Sequence, residues 1–171
     1  EFKIGIELEY FLVQLNADGT IEIADKLDTL EKPCYDMAGL TRQYDFLTTV
    51  SRYCNELGWG NYANDHEDAN GQFEQNFTYD DALTSCDRAI FFRYMVHQLA
   101  ERKGRDDGRN ILATFMPKPF SNLTGNGCHA HASIWDKAGR KNLFEDGGGE
   151  LGLSPLAYNF LGGVLHSAEA L

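Results

Sequence analysis

Residues 2–14 of the chain read FKIGIELEYFLVQ, an apolar run rich in Ile, Leu, Phe and Tyr in which polar residues recur at alternate positions. This composition and this alternation predict a β-strand. Glu7 and Glu9 are two positions apart in the run, and successive side chains of a strand point to opposite faces of its sheet. Both carboxylates therefore lie on the same face of the predicted strand.

The two carboxylates of this strand allow two interpretations. Like charges held so close repel each other, and partial burial increases the cost. The pair is tolerable if a cation lies between or beyond the carboxylates, which predicts a metal site. It is equally tolerable on the solvated face of an antiparallel strand. The strand alone does not decide between the two.

A second informative segment is GNGCHAHASIW, residues 125–135. Its glycine-rich turn leads into a predicted strand over residues 128–135, where His129, His131 and Ser133 recur at every second position. That spacing places two imidazoles and a hydroxyl on one face, opposite small apolar side chains. The pattern favours a ligand site over a pair of hydrogen-bonded core or surface histidines, although it has no zinc-type spacing.

A third polar group flanks Asn70-Gly71, a strong signal for a hairpin turn. Glu67 precedes the turn and Glu74 follows it, so that each arm of the predicted hairpin carries one carboxylate. Taken alone, this segment is most simply a surface hairpin. His66, next to Glu67, is expected to have a structural role rather than to bind a ligand itself.

The remaining pattern predicts antiparallel strands with helices laid on one side, an α+β fold. The predicted strands are residues 2–14, 20–24, 59–67, 72–78, 111–116 and 128–135. The predicted helices are residues 38–57 before Gly58, residues 79–103 before Gly104, and a last helix that begins at Ser154-Pro155. A charged loop is expected over residues 104–110.

Composition narrows the range of functions. The chain has 171 residues, of which 43% are hydrophobic and 24% charged, as suits one folded domain rather than a disordered or membrane-spanning chain. A net charge of −11 argues against a nucleic-acid or anionic-membrane partner, since both need a basic surface. The four cysteines form no C-x-x-C pair, so reduced thiols in a cytoplasmic protein are the simplest interpretation.

Taken together, the acidic and imidazole groups form a set of hard ligands: Glu7, Glu9, Glu67, Glu74 and one histidine. Oxygen-rich coordination with one imidazole suits Mg²⁺ or Mn²⁺ better than zinc or copper. Such metals commonly act with substrate phosphates, which makes the polar residues further along the histidine segment candidates for contacting a nucleotide. The chain contains no P-loop or kinase-type glycine loop, so ATP would have to be held in another way.

Four segments resemble the successive active-site motifs of the glutamine synthetase catalytic domain, in the family's order and at compatible spacings. They are GIELEYF (5–11), HEDANGQFE (66–74), TFMPKP (114–119) and GNGCHAHAS (125–133). Within the family the chain looks most like the type III group, which includes γ-glutamylmethylamide synthetase. The resemblance implies that the antiparallel sheet is the curved sheet of that catalytic domain.

The resemblance also implies ATP-dependent ligation of glutamate to ammonia or a small amine through a γ-glutamyl phosphate, with divalent cations. By motif, Glu9, Glu67 and Glu74 would hold one metal near glutamate and the amine. Glu7 and His129 would hold a second metal near the ATP phosphates. Glu67 would in addition be the catalytic residue that orients or deprotonates the amine.

The same resemblance assigns the contacts to the organic substrates. Gly125 would offer its backbone to bound glutamate. His131 and Ser133 would contact the nucleotide. These assignments separate the two histidines of the segment into a metal ligand and a nucleotide contact.

The resemblance covers residues 1–171 and implies a partial catalytic domain, incomplete at both ends. The family's N-terminal β-grasp domain, which completes a neighbour's site in a large ring-shaped homo-oligomer, and its C-terminal part would lie outside the chain. Two other functions stay open: a non-catalytic glutamine synthetase-like scaffold or regulatory protein, and a two-metal hydrolase. Retention of all five metal-ligand positions favours the ligase, because a scaffold has little physical reason to keep like charges crowded together.

Overall fold

A computed structural model describes residues 1–170 as one antiparallel sheet with helices packed on it. Its strands are β1 (Phe2–Leu15), β2 (Ile21–Ile23), β3 (Asn61–His66), β4 (Gln72–Phe77), β5 (Asp80–Asp81), β6 (Ile111–Thr114) and β7 (Cys128–Ile134). Its α-helices are α1 (Met37–Arg42), α2 (Tyr44–Glu56), α3 (Ala82–Asp106) and α4 (Pro155–Ser167). Two short 3₁₀ turns lie at Glu150–Gly152 and Ala168–Ala170.

The first strand organises the whole sheet. The N-terminal half of β1 pairs with β7 and, at Lys3 and Ile4, with β5. Its C-terminal half pairs with β4, β6 and β2. β3 joins through β4, with which it forms the hairpin predicted around Asn70-Gly71. One strand therefore brings together the three polar segments that the sequence singles out.

The two faces of β1 have different partners because its side chains alternate. Leu8, Tyr10 and Leu12 are buried in the main core, together with residues of α2 and α3. Tyr10 is fully buried, its ring lies against Phe46 and Phe92, and its hydroxyl donates a 2.7 Å hydrogen bond to Gln75 Oε1.

The opposite face of β1 is divided between a small core and polar groups. Phe11 and Val13 pack in the small core, where Phe120 and Leu123 cover them. Glu7 and Glu9 continue the same face toward the N-terminal end of the strand. The predicted α+β arrangement of antiparallel strands with helices on one side is confirmed, and the carboxylates lie on the face away from α2 and α3.

The helix predicted over residues 38–57 is divided at Gln43. Gln43 ends α1 and precedes α2 with φ −105° and ψ 15°, outside the helical range. Asp36 starts α1, since its carboxylate accepts hydrogen bonds from the amides of Ala38 and Gly39. The predicted C-terminal signal is correct, because Gly58 follows α2 with φ +76°.

The third helix begins later and ends later than its predicted range of 79–103. Asp81 caps its start by accepting a hydrogen bond from the Thr84 amide. Gly104 lies inside the helix and is buried, so it is not the stop signal that the sequence suggested. A Cβ atom at this position would lie 2.6 Å from the Ile111 nitrogen and 2.7 Å from the Arg109 oxygen. Gly104 therefore permits the chain after α3 to turn back tightly against the helix.

None of the helices within residues 1–170 is long and apolar enough to cross a membrane.

Candidate active site

The pairing of β1 with β7 places the histidines opposite the first carboxylate. Glu7 is the cross-strand partner of His129, and Gly5 is the partner of His131. Glu7 Oε2 lies 3.3 Å from His129 Nδ1, and Glu7 Oε1 lies 2.9 Å from His131 Nε2. The side chain of Glu7 is 26% exposed, whereas both imidazoles are about two-thirds exposed. Both histidines thus contact one carboxylate that can bridge them.

The pairing of β1 with β4 adds the second pair of carboxylates. Glu9 is directly opposite Glu74, and Asp65 of β3 is opposite Glu74 on the other side. Oxygen atoms of Glu7 and Glu74 and a nitrogen of His129 all lie within 4.8 Å of one another. Three residues from three different strands therefore converge on a volume the size of a metal-binding site.

Glu9 is fixed from two directions. One of its oxygens, Oε2, accepts hydrogen bonds from Gln72 Nε2 at 2.8 Å and from the Gly127 amide at 2.9 Å. Its other oxygen approaches the backbone of Gly127 so closely that a Cβ atom there would lie 2.8 Å from it. The same Cβ would lie 3.3 Å from the His129 imidazole. The absence of a side chain at Gly127 therefore allows Glu9 and His129 to lie on either side of the turn.

Burial and the crowding of carboxylates together raise several pKa values in the site. Burial and the charges of Glu74 and Glu9 raise the pKa of Glu67 to about 7. Burial and the charges of Glu7 and Glu9 also raise the pKa of Glu74, although a 2.8 Å hydrogen bond from Asn76 opposes the shift. Burial and Glu7 raise the pKa of Asp65. The site holds more negative charge than its own hydrogen bonds neutralise, which is the electrostatic condition that favours a bound cation.

His66 has the structural role predicted for it. Its side chain is fully buried, Nδ1 lies 2.9 Å from the Glu67 carbonyl oxygen, and Nε2 lies 2.8 Å from Asp28 Oδ2. Both ring nitrogens face oxygen acceptors, an arrangement that favours the protonated imidazole, in which both nitrogens donate. Burial opposes this charge, but the hydrogen bonds to Asp28 and to the Glu67 carbonyl outweigh it and raise the pKa of His66.

A cavity of about 490 Å³ opens beside Glu7 on the side of His131. Its walls include Tyr62 from β3, Tyr79 and Ser133. The Ser133 hydroxyl accepts a 2.9 Å hydrogen bond from the Trp135 indole nitrogen. His131 and Ser133 thus line one wall of a partly aromatic cavity that adjoins the carboxylates.

Gly125 lies in the turn just before β7 begins. Its carbonyl oxygen accepts a 3.0 Å hydrogen bond from Gln72 Nε2, the same group that holds Glu9. A Cβ atom at Gly125 would collide with the Pro117 carbonyl oxygen. The glycine therefore brings the MPKP segment and the histidine turn into contact beside the carboxylates.

The structure adds residues to the site that the sequence reasoning missed. Asp65 and Tyr62 belong to β3, and the alternation of Asp65 with Glu67 was a signal that could have identified the former. Asn76 could have been found in the same way, two positions after Glu74. Asp28 gave no such signal, because it lies in an irregular segment before α1.

The fold and the carboxylate-rich site define a catalytic domain of the glutamine synthetase type, and comparison with known proteins agrees. The family model described as "Glutamine synthetase, catalytic domain" matches residues 1–171, so the chain belongs to this family. The chain is 52% identical over 169 residues to a protein named glutamine synthetase from Rhizobium meliloti (strain 1021), covering 99% of the chain and 37% of that relative.

Two further relatives point to the same family. The chain is 46% identical over 172 residues to a glutamate–methylamine ligase from Methyloversatilis universalis, covering 99% of the chain and 37% of that relative. A solved structure of a GmaS/ADP complex superposes with a TM-score of 0.87 at 54% identity, over 98% of this chain and 36% of the other. The chain thus spans little more than a third of the length of the relatives it matches.

Proposed function

We propose that the chain is part of the catalytic domain of an ATP-dependent carbon–nitrogen ligase that joins glutamate to ammonia or a small amine. The observation that carries the proposal is the convergence of Glu7, Glu74 and His129 within 4.8 Å, beside the buried Glu9. Membership of the glutamine synthetase family supports the reaction class. Relatives named glutamine synthetase and glutamate–methylamine ligase support the range of acceptors.

The site residues fit Mg²⁺ or Mn²⁺, since the converging ligand atoms are carboxylate oxygens with one imidazole nitrogen. We assign Glu9, Glu67 and Glu74 to one cation, and Glu7 and His129 to a second. Glu74 lies close enough to Glu7 and His129 to contribute to either cation. Bound cations would neutralise the phosphate charge that builds up during phosphoryl transfer.

The chemistry runs in two displacements. The γ-carboxylate oxygen of glutamate attacks the γ-phosphorus of ATP, and the bond to the leaving ADP breaks. The amine nitrogen then attacks the γ-carbonyl carbon, the bond to phosphate breaks, and the nitrogen loses a proton. Glu67 orients the amine or accepts that proton, a role that suits a carboxylate at the edge of the cluster.

Other residues bind and orient the substrates. His131 and Ser133 contact the nucleotide from the wall of the 490 Å³ cavity, and a relative solved with ADP supports a nucleotide site in this fold. Gly125 offers its backbone to glutamate. The full-length protein, with an N-terminal β-grasp domain and a C-terminal part, forms a ring in which a neighbour completes each site.

The test is a phosphate-release and amide-formation assay of the full-length protein with glutamate, Mg²⁺ or Mn²⁺ and a panel of amines that includes ammonia and methylamine. Activity should require ATP, glutamate, an amine and the metal together. A non-catalytic scaffold would bind Mn²⁺ without turnover. A two-metal hydrolase would need metal but not ATP.

Glu67→Ala is the variant that tests the proposed catalytic residue. Loss of a general base typically costs about 10²- to 10⁴-fold in rate, and we expect amide formation to fall by at least that factor. Glu56→Ala, on the exposed side of α2, is the matched control and should retain activity. Unchanged turnover in Glu67→Ala would rule out the role assigned to this carboxylate.

A further inference from the structure

We propose that Asp28 is a positioning residue that clamps the turn carrying Glu67 and so sets where that carboxylate lies. The inference concerns the loop of residues 67–71, between β3 and β4. It rests on the proposed function in one respect only, namely that Glu67 acts on the amine. Asp28 itself lies in the irregular segment between β2 and α1.

The clamp holds both ends of the loop with one oxygen atom. Asp28 Oδ2 accepts a 2.8 Å hydrogen bond from His66 Nε2, just before the loop. The same oxygen accepts a 2.6 Å hydrogen bond from the Gly71 amide, at its end. The side chains of Asp28 and His66 are 1% and 0% exposed, so these bonds form away from competing water.

The other carboxylate oxygen of Asp28 holds the tip of the turn. Asp28 Oδ1 accepts a 3.3 Å hydrogen bond from Asn70 Nδ2, and the same amide donates at 2.9 Å to the Leu30 carbonyl. Gly71 has φ +70°, and a Cβ atom there would lie 2.7 Å from Ile23 Cγ2. The loop is therefore pressed against β2 and the segment that follows it.

His66 transmits this restraint to Glu67. Its second nitrogen donates to the Glu67 carbonyl at 2.9 Å, while the Glu67 amide donates to Gln72 at 3.0 Å. The ring cannot move away, because α1 packs on it so closely that a Cβ atom at Gly39 would collide with it. The backbone of Glu67 is thus held by hydrogen bonds at both its amide and its carbonyl.

The restraint on the loop opposes the electrostatic repulsion between Glu67 and the other carboxylates of the site. The negative charges of Glu74 and Glu9 act on the Glu67 carboxylate and repel it when it is ionised. Repulsion pushes a mobile loop away from the other carboxylates and opens the site. A buried carboxylate on the far side of the loop opposes that displacement through backbone bonds, without adding its own charge to the cluster.

The test compares Asp28→Asn with Asp25→Asn in the full-length protein. Asp28 and Asp25 both form ion pairs with Arg42, at 3.8 and 2.5 Å, but Asp25 makes no hydrogen bond to His66 or Gly71. Residues that orient a ligand through another side chain typically change activity by about 10- to 100-fold, so Asp28→Asn should lower kcat by at least about tenfold. The KM for ATP should change little. Less amide should form per ADP released, because a slower amine step leaves the γ-glutamyl phosphate to attack by water, which releases phosphate and returns glutamate. Asp25→Asn should match the wild type.

A second measurement does not depend on activity. Hydrogen exchange of the amides between Glu67 and Gln72 should accelerate in Asp28→Asn and not in Asp25→Asn. Asn70→Ala removes the 3.3 Å bond to Asp28 and the 2.9 Å bond to the Leu30 carbonyl but leaves both bonds of Asp28 Oδ2 in place. It should show the same changes to a smaller degree, and it covers the case in which Asp28→Asn fails to fold.

The outcomes separate the two proposals. Inactive wild-type protein would refute the ligase, while the exchange measurement would still decide the clamp. Unchanged exchange in the loop would overturn the clamp whatever the activity. Equal loss of ADP release and amide formation, together with faster exchange throughout the protein rather than in the loop alone, would show that Asp28 supports folding alone and would overturn its positioning role.

Discussion

At the scale of single residues, the site depends on small side chains as much as on charged ones. Gly127 separates Glu9 from His129, and its amide also donates to Glu9 Oε2. A glycine at this point lets two groups from different strands approach one turn. The carboxylates supply the charge of the site, whereas the glycine supplies the room for them.

Gly127→Ala should therefore weaken metal binding while leaving the fold intact. The new Cβ would lie 2.8 Å from Glu9 Oε1 and would push the carboxylate or the imidazole out of place. We expect Mn²⁺ affinity to fall by about 10- to 100-fold, the usual effect of disturbing groups that orient ligands. Isothermal titration with Mn²⁺ measures this. Gly147→Ala, where a Cβ meets no atom within 4 Å, is the control, and equal affinity in both variants would contradict the argument.

At the scale of elements, Gly104 shows how the same residue type acts differently in two helices. In α3 a Cβ at Gly104 would meet the backbone of Ile111 and Arg109, which cannot rotate away. In α4 a Cβ at Gly162 would meet nothing within 4 Å. Gly104→Ala should lower the free energy of unfolding by about 1–3 kcal/mol, as overpacking does. Gly162→Ala should raise it by up to about 1 kcal/mol, because alanine favours helix. Urea unfolding of the wild type and both variants measures these free energies. Equal stability of the two variants would contradict the prediction.

The elements that the sequence predicts well are those governed by local alternation. The long first strand, the Asn70-Gly71 hairpin and the histidine strand all follow from period-two patterns and turn residues, and they place Glu7, Glu9 and Glu74 correctly on strands. The features that the sequence predicts poorly depend on residues that are distant along the chain. The break at Gln43, the buried role of Gly104 and the clamp at Asp28 are set by packing, and no periodicity reveals them.

At the scale of the whole molecule, the net charge of −11 and the carboxylate cluster both add electrostatic repulsion that destabilises the folded chain. Each carboxylate with a raised pKa is harder to ionise in the folded protein than in the unfolded chain. Its ionisation therefore destabilises the fold as pH rises through the folded-state pKa, which for Glu67 is about 7. The protein retains this destabilising charge at the place where β1, β3, β4 and β7 converge. A bound divalent cation would reverse the sign of the effect.

Glu67→Gln tests this trade between stability and function. Above the pKa of about 7, and with EDTA present, the variant should be more stable than the wild type because it removes one repelled charge. The gain should be on the order of 1 kcal/mol, since the carboxylate is only half-buried and water screens part of the repulsion. With Mn²⁺ at about 100 times its Kd, the wild type should gain about 2.7 kcal/mol, and the variant should gain clearly less. Thermal unfolding of the protein with EDTA and with Mn²⁺ measures both effects. Glu56→Gln, at the exposed end of α2, should follow the wild type in both conditions. If Glu67→Gln and the wild type respond equally to Mn²⁺, the crowded carboxylates are not held for a metal, and the assignment of Glu67 to a cation is wrong.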